Sequence, residues 1–223
     1  MSGELFIKAM IKFFSGLIIV GLLIFLPAGT INFWQGWLLI GILFVPMFCA
    51  GIFMMIKNPT LLAKRLNVKE QQSEQKEVIL FSGIMFLAAF ILAGLNHRFS
   101  WIVLPDFISY VAATVFLIGY VIYAEVLREN TYLSRTIEVQ EGQHVIDSGL
   151  YGIVRHPMYM TTVLLFLSMP LVLGSIISFV IMLAYFPIIA KRINNEEQLL
   201  ERELKGYAQY KSRVKYKVIP FIW

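Results

Sequence analysis

Two short polar runs hold side chains that could do chemistry together. The first is Arg155-His156-Pro157-Met158-Tyr159, preceded by Gly149 and Gly152. The second is Arg192-Ile193-Asn194-Asn195-Glu196-Glu197. Between them they offer guanidinium, imidazole, phenol and carboxylate groups. That set suits a ligand carrying both an anion and a cation. Pro157 is suited to be the first residue of a helix, where its missing N–H costs nothing. A helix starting there aims free amides and the positive dipole end at the preceding loop, which favours a carboxylate. A plainer reading stays open: Arg155 reaches headgroups while Tyr151 and Tyr159 anchor a membrane boundary. Arg192 and Glu196, four apart, can pair on a helix; the plainer reading is a solvated ion pair of a few tenths of a kcal/mol.

Other chemistries lack their residues. HExxH, GxSxG, the Walker loop and GxGxxG are all absent from the sequence, which leaves no zincin, serine-hydrolase, P-loop or Rossmann site. The single cysteine, Cys49, excludes an internal disulfide and a CxxC metal site. His97, beside Arg98, reads as solvated, and His144 lacks metal-ligand spacing. No metal is expected.

The elements that position these groups must be membrane helices. Of the residues 58% are hydrophobic and only 15% charged, with a mean hydropathy of +0.73. A soluble domain has roughly 45–50% apolar and about 25% charged residues. Four apolar stretches, at residues 9–28, 33–56, 78–95 and 101–127, are long enough to span. Trp34, Trp37 and Trp101 fall at boundaries, and Pro46 predicts a kink. Of the 19 Lys and Arg residues, two precede or open the first stretch, five lie in residues 57–76 and eleven follow Leu127. None lies between the first two stretches, and only Arg98 between the third and fourth. The positive-inside rule then puts the N-terminus, the 57–76 loop and everything after Leu127 in the cytoplasm. The net charge of +5 reports this topology. No basic stripe carries interleaved aromatics, so nucleic acid is not expected.

Residues 158–173 and 176–190 form two further apolar arms around Gly174-Ser175. Each reaches only about 22 Å as a helix, short of the roughly 30 Å hydrocarbon core. Arg155 flanks one arm and Lys191-Arg192 the other. A hairpin entering and leaving on the same side satisfies both facts; a pair of thin full spans keeps the same sidedness. Beyond Ala190, Ile193, Leu199, Leu200, Leu204 and Tyr207 share a loose helical face, ending near Gly206 and followed by a second short helix. The expected fold is all-α and polytopic: about four spanning helices, a C-terminal helical hairpin and cytosolic amphipathic helices. Residues 1–127 are the N-terminal transmembrane part and residues 128–223 the catalytic region. A hairpin brings its own ends together, so the two polar runs should be neighbours.

Taken together, QxxQHVIDSGLYGIVRHPMY (residues 140–159), RINNEEQLL (192–200) and GYAQYKSRVKYKVIP (206–220) resemble the isoprenylcysteine carboxyl methyltransferase family. That family is similar in turn to phospholipid N-methyltransferases. The resemblance implies an integral membrane enzyme with S-adenosylmethionine in a cytosolic pocket covered by C-terminal helices. It implies that Gln140, Gln143, His144, Val145, Ile146 and Tyr151 lie along the cofactor. His156, Pro157, Met158 and Tyr159 would hold its methionine end or ribose, and Glu196 its ammonium. Arg192, or Arg155, would orient the substrate carboxylate, and Glu197 is the base that an amine substrate would need. Tyr207, Tyr210 and Arg213 also match, without individual roles. The implied substrate is prenylated or otherwise lipophilic and enters from the bilayer. A phospholipid N-methyltransferase, a membrane NADPH-dependent reductase of the steroid-reductase type, and a non-enzymatic scaffold are the alternatives. A 2′-phosphate would want an Arg/Lys cluster in the binding loop, where only Arg135 and Arg155 stand.

Overall fold

The computed structural model describes residues 3–66, 73–133 and 139–223. Lys69, counted above among the loop cations, and Arg135 lie outside them. The described chain is helical: α1 (Gly3–Ala28), α2 (Trp34–Lys57), α3 (Pro59–Leu66), α4 (Ser73–Phe99) and α5 (Asp106–Glu129) come first. A 3-10 turn (Gly149–Gly152), α6 (Pro157–Val172), α7 (Ile176–Met182), α8 (Tyr185–Glu203) and α9 (Tyr207–Arg213) follow. Five segments are long and apolar enough to cross a membrane: α1, α2, Lys76–Phe99, α5 and the α7–α8 run Ile176–Glu203. Their outward faces are apolar, with Ile11, Ile18, Val45, Leu80 and Val121 exposed. In water such a surface would be prohibitive; in lipid it is the solvated face. The chain is an integral, multi-pass, all-α membrane protein.

The second arm of the hairpin is longer than the two short arms expected, and it is broken once. Pro187 has no N–H to give the Leu183 carbonyl, and its ring crowds that group. The helix therefore stops at Met182 and restarts at Tyr185, while Phe186 N–H donates to Leu183 O at 3.1 Å. The arm then continues through the charged residues as one element to Glu203. At the tip, Gly174 adopts φ 68°, and Ser175 caps α7 by accepting from Ser178 N–H at 3.2 Å.

Two further expectations need correction. The fourth span opens at Asp106, not Trp101. Pro105 keeps the preceding residue out of the helical region. Asn96 holds the loop by accepting from Ile102 N–H at 3.1 Å and donating to Ile102 O at 3.0 Å. His97 is not simply solvated: it is half-buried, with its ring stacked on Phe33 at 4.0 Å. As for Pro46, α2 runs through it as one helix.

The core that carries the site's membrane end joins α1, α2, α4, α5 and α6 through Ile24, Leu39, Phe90, Phe116 and Val172. Its tightest crossing is α1 on α4. A Cβ on Gly94 would sit 2.6 Å from Ile24 O and 2.9 Å from Ala28 N, both backbone. Gly94→Ala is therefore expected to push the two helices apart and cost about 1–3 kcal/mol. Gly83→Ala, with no atom within 4 Å of its Cβ position, serves as the control. Thermal unfolding in detergent should separate the two variants by several degrees.

Candidate active site

The hairpin's polar ends do meet. Residues 130–133 and 143–146, the 3-10 turn, the start of α6, the end of α8 and α9 line a cavity.

At its centre, Tyr159, in the first turn of α6, faces the charged part of α8. Its hydroxyl donates to Glu196 Oε2 at 2.5 Å and accepts from Arg192 Nε at 3.0 Å. One phenol thus orients a carboxylate and a guanidinium that both line the cavity. The α8 spacing puts Arg192 and Glu196 on one face, and Pro157 at the first position of α6 sets where Tyr159 emerges.

Arg155 and Glu197 form a second, deeper cluster. Glu197 is 3% exposed. Its Oε1 accepts from Arg155 Nε at 2.7 Å and from His156 Nε2 at 3.1 Å. Lys211 Nζ approaches Oε2 at 3.4 Å and Lys217 Nζ at 3.8 Å. Arg155 Nη1 also donates to the carbonyls of Val214 (2.6 Å) and Lys215 (2.8 Å). The backbone N–H groups of Arg155 and His156 donate to Tyr216 O and Lys217 O at 2.9 and 2.8 Å. This cluster ties the site entrance, α8, α9 and the 214–217 segment together.

The roof is aromatic. Tyr151 Oη accepts from Asn130 Nδ2 at 2.9 Å, and Tyr210 Oη donates to Tyr151 O at 2.7 Å. Glu129 accepts from Leu150 N–H at 3.1 Å. Its carboxylate fills the space where Gly149, at φ 53°, would carry a Cβ. Burial pushes the phenols of Tyr151, Tyr207 and Tyr210 above their usual range. At neutral pH they are therefore donors and ring surfaces rather than bases. Tyr207 Oη is buried with no hydrogen-bond partner among the described residues, so the cavity wall holds a polar group that a ligand could satisfy.

Of the residues singled out in the sequence, Gln143, His144, Val145, Ile146, Tyr151, Arg155, His156, Met158, Tyr159, Arg192 and Glu196 line the cavity. Gln140, Pro157 and Glu197 are not among the lining residues. Gln140 instead bonds Lys64 Nζ at 2.5 Å and Tyr132 O at 2.6 Å, which braces the loop against α3. Asn130, Tyr132, Leu133, Leu200 and Leu204 line the wall without having been singled out as ligands. Leu200, Leu204 and Tyr207 were visible as the apolar face of an amphipathic helix; that face covers the cavity. Among the described residues no group of His, Cys, Asp and Glu could hold a metal ion.

A helical membrane protein with a mixed-charge, aromatic-walled cavity at the polar end of a hairpin is the class this fold and site define. Residues 111–202 match the model of the isoprenylcysteine carboxyl methyltransferase (ICMT) family. The solved structure of the eukaryotic intramembrane Ras methyltransferase ICMT superimposes with a TM-score of 0.52, at 18% identity, covering 97% of this chain and 86% of that one. At that identity the likeness is one of fold. The delta(14)-sterol reductase of Mus musculus is 29% identical over 91 residues, 40% of this chain. The chain spans only 22% of that curated relative's length.

Proposed function

We propose that this protein is a membrane-embedded, S-adenosylmethionine-dependent methyltransferase. It esterifies the carboxylate of an isoprenylcysteine-like or other lipophilic substrate, with its site and both ends of the chain on the cytoplasmic side. The observation that carries the proposal is the Arg192–Tyr159–Glu196 relay on a cavity that also holds the unpartnered Tyr207 hydroxyl. The family match over the segment containing it sets the reaction class.

The residues present fit that cofactor. A carboxylate for its ammonium, an orphan phenol and several aromatic faces suit a molecule carrying a cation at sulfur, another at nitrogen, and a carboxylate. When bound, S-adenosylmethionine supplies an electrophilic methyl group. The chain's part is positioning. Glu196, aimed by the Tyr159 hydroxyl, would bind the ammonium. Tyr207, Tyr151 and residues 143–146 wall the rest and exclude water. Arg192, set at Nε by Tyr159, is the cation that orients the acceptor carboxylate, which is ionised at neutral pH with an ordinary pKa of about 3.5. No general base is needed, so Glu197 acts as a positioning residue together with Arg155. In-line displacement gains most from alignment, which can supply about 7–11 kcal/mol of the barrier. Residues 1–127 hold the scaffold and the route from the bilayer, and residues 128–223 bear the site.

The test is calorimetric titration of S-adenosylhomocysteine into detergent-purified protein. Wild type is expected to bind with micromolar affinity. Glu196→Ala should lose about 1.5–3 kcal/mol, the worth of a charged hydrogen bond. The sterol reductase relative gives the second reading its specific basis. NADPH binding in place of S-adenosylhomocysteine would move the protein to that class. The cavity argues against it, since among the described residues Arg155 and Arg192 are the only Lys or Arg that line it and Arg155 is bound to Glu197.

A further inference from the structure

Beyond Lys217 the chain makes a tight turn with an unusual surface. Phe221 is 84% exposed and Ile222 is 80% exposed. Their neighbours point the other way. Val218 is fully buried, and Ile219 and Trp223 pack against the same cluster, which includes Met85 and Ala89 of α4 and Met182 and Ile189 of the α7–α8 arm. The turn therefore lies against the apolar parts of membrane helices.

Four of its backbone N–H groups bond within the turn. Val218 and Ile219 N–H both donate to Trp223 O at 2.8 Å. Ile222 and Trp223 N–H both donate to Ile219 O, at 3.1 and 3.0 Å. Pro220 has no N–H to satisfy. Internal pairing of this kind is what hydrocarbon demands of a backbone and water does not. The flank is basic: Lys215 is exposed and Arg213 bonds Asp147 at the surface. An apolar wedge beside cations is how a short segment sits in a bilayer interface, about 5–10 Å deep.

We propose that the 219–222 turn is a bilayer anchor, inserted into the leaflet on the side of the site, with Phe221 and Ile222 among the acyl chains. Through residues 214–217 it fastens the carbonyls that hold Arg155 and His156, so the entrance of the cavity is tied to the membrane surface. The occupant is lipid because the neighbours of the exposed pair, Val218, Ile219 and Trp223, belong to a cluster with Met85 and Ala89 of α4, a helix long and apolar enough to cross a membrane. This reading is independent of the reaction proposed above.

The test uses the full chain in vesicles of phosphatidylcholine and phosphatidylglycerol. Cys49→Ala removes the native thiol, and Ile222→Cys or Lys215→Cys takes an environment-sensitive fluorophore. Both sites are exposed, so neither change disturbs packing. The label at 222 is expected to be blue-shifted and to lose most of its emission to doxyl-labelled lipid, while the label at 215 responds to aqueous iodide. Equal iodide quenching at both sites, or shielding of the label at 222 from iodide without quenching by doxyl-labelled lipid, would overturn the anchor. In the same vesicles, Phe221→Asp with Ile222→Asp should speed hydrogen exchange at the Arg155 and His156 amides. Unchanged protection there would overturn the coupling to the site.

Discussion

Glu197→Ala is expected to destabilise the site end of the molecule by about 3–5 kcal/mol, because it leaves a buried guanidinium without its anion. Arg155 has a side chain 5% exposed against 4% for Glu197. No water replaces the lost carboxylate at that depth, and the two tail carbonyls it also binds carry only partial charge. Lys211 and Lys217 lose their shared counter-charge at the same time. The result should be early loss of protection in α9 and residues 214–217, and loss of cofactor binding as a consequence. Glu197→Gln keeps the acceptor oxygen and the shape, so it should recover part of the stability. Urea unfolding in mild detergent, read with hydrogen exchange, separates the two variants. If Glu197 were instead the base for an amine acceptor, Glu197→Ala would keep its stability and its affinity for S-adenosylhomocysteine, and only turnover would fall.

That cluster also marks where sequence reading stops. Membrane topology is legible because a run of about 20 apolar residues has few ways to satisfy its backbone other than as a spanning helix. The meeting of residues 155–159 with residues 192–197 is legible because a helical hairpin returns to its starting side. Pro157 at the first turn of α6 follows from local chemistry alone. What is not legible is the division of labour between Glu196 and Glu197. Neighbours on a helix point about 100° apart, so one reaches the cavity and the other the protein interior, and only the packing of residues 214–217 decides which. The tail's role was hidden for the same reason: Arg155 is held there by backbone carbonyls, which every residue type has. Tyr132 and Asn130 reach the cavity through loop geometry that no periodicity announces. The α7–α8 break could have been read from Pro187, whose fourth preceding residue, Leu183, is the C-cap of α7.

Arg192→Lys is expected to lower kcat/KM for the acceptor by about 10²-fold, the cost of a misplacement near 1 Å at the reacting atoms. The charge survives but the geometry does not. Arginine's Nε–H is already directed at Tyr159 Oη at 3.0 Å, so the plane of the guanidinium is set. A lysine ammonium is a point donor on a flexible stem; it can meet Tyr159 or the acceptor, but it cannot hold both in one plane. The affinity for S-adenosylhomocysteine should change only a few-fold, because Glu196 keeps its bond from Tyr159 at 2.5 Å. The two readouts therefore divide: turnover and acceptor KM move, and cofactor binding stays. Tyr159→Phe should do the reverse in part, loosening Glu196 and Arg192 together and weakening both ligands. If Arg192→Lys lost cofactor and acceptor binding in equal measure, Arg192 would belong to the cofactor's site. If it lost neither, the acceptor carboxylate would have to be held by another cation. Single-turnover methyl transfer from labelled S-adenosylmethionine to a prenylcysteine analogue, with calorimetry alongside, distinguishes these outcomes.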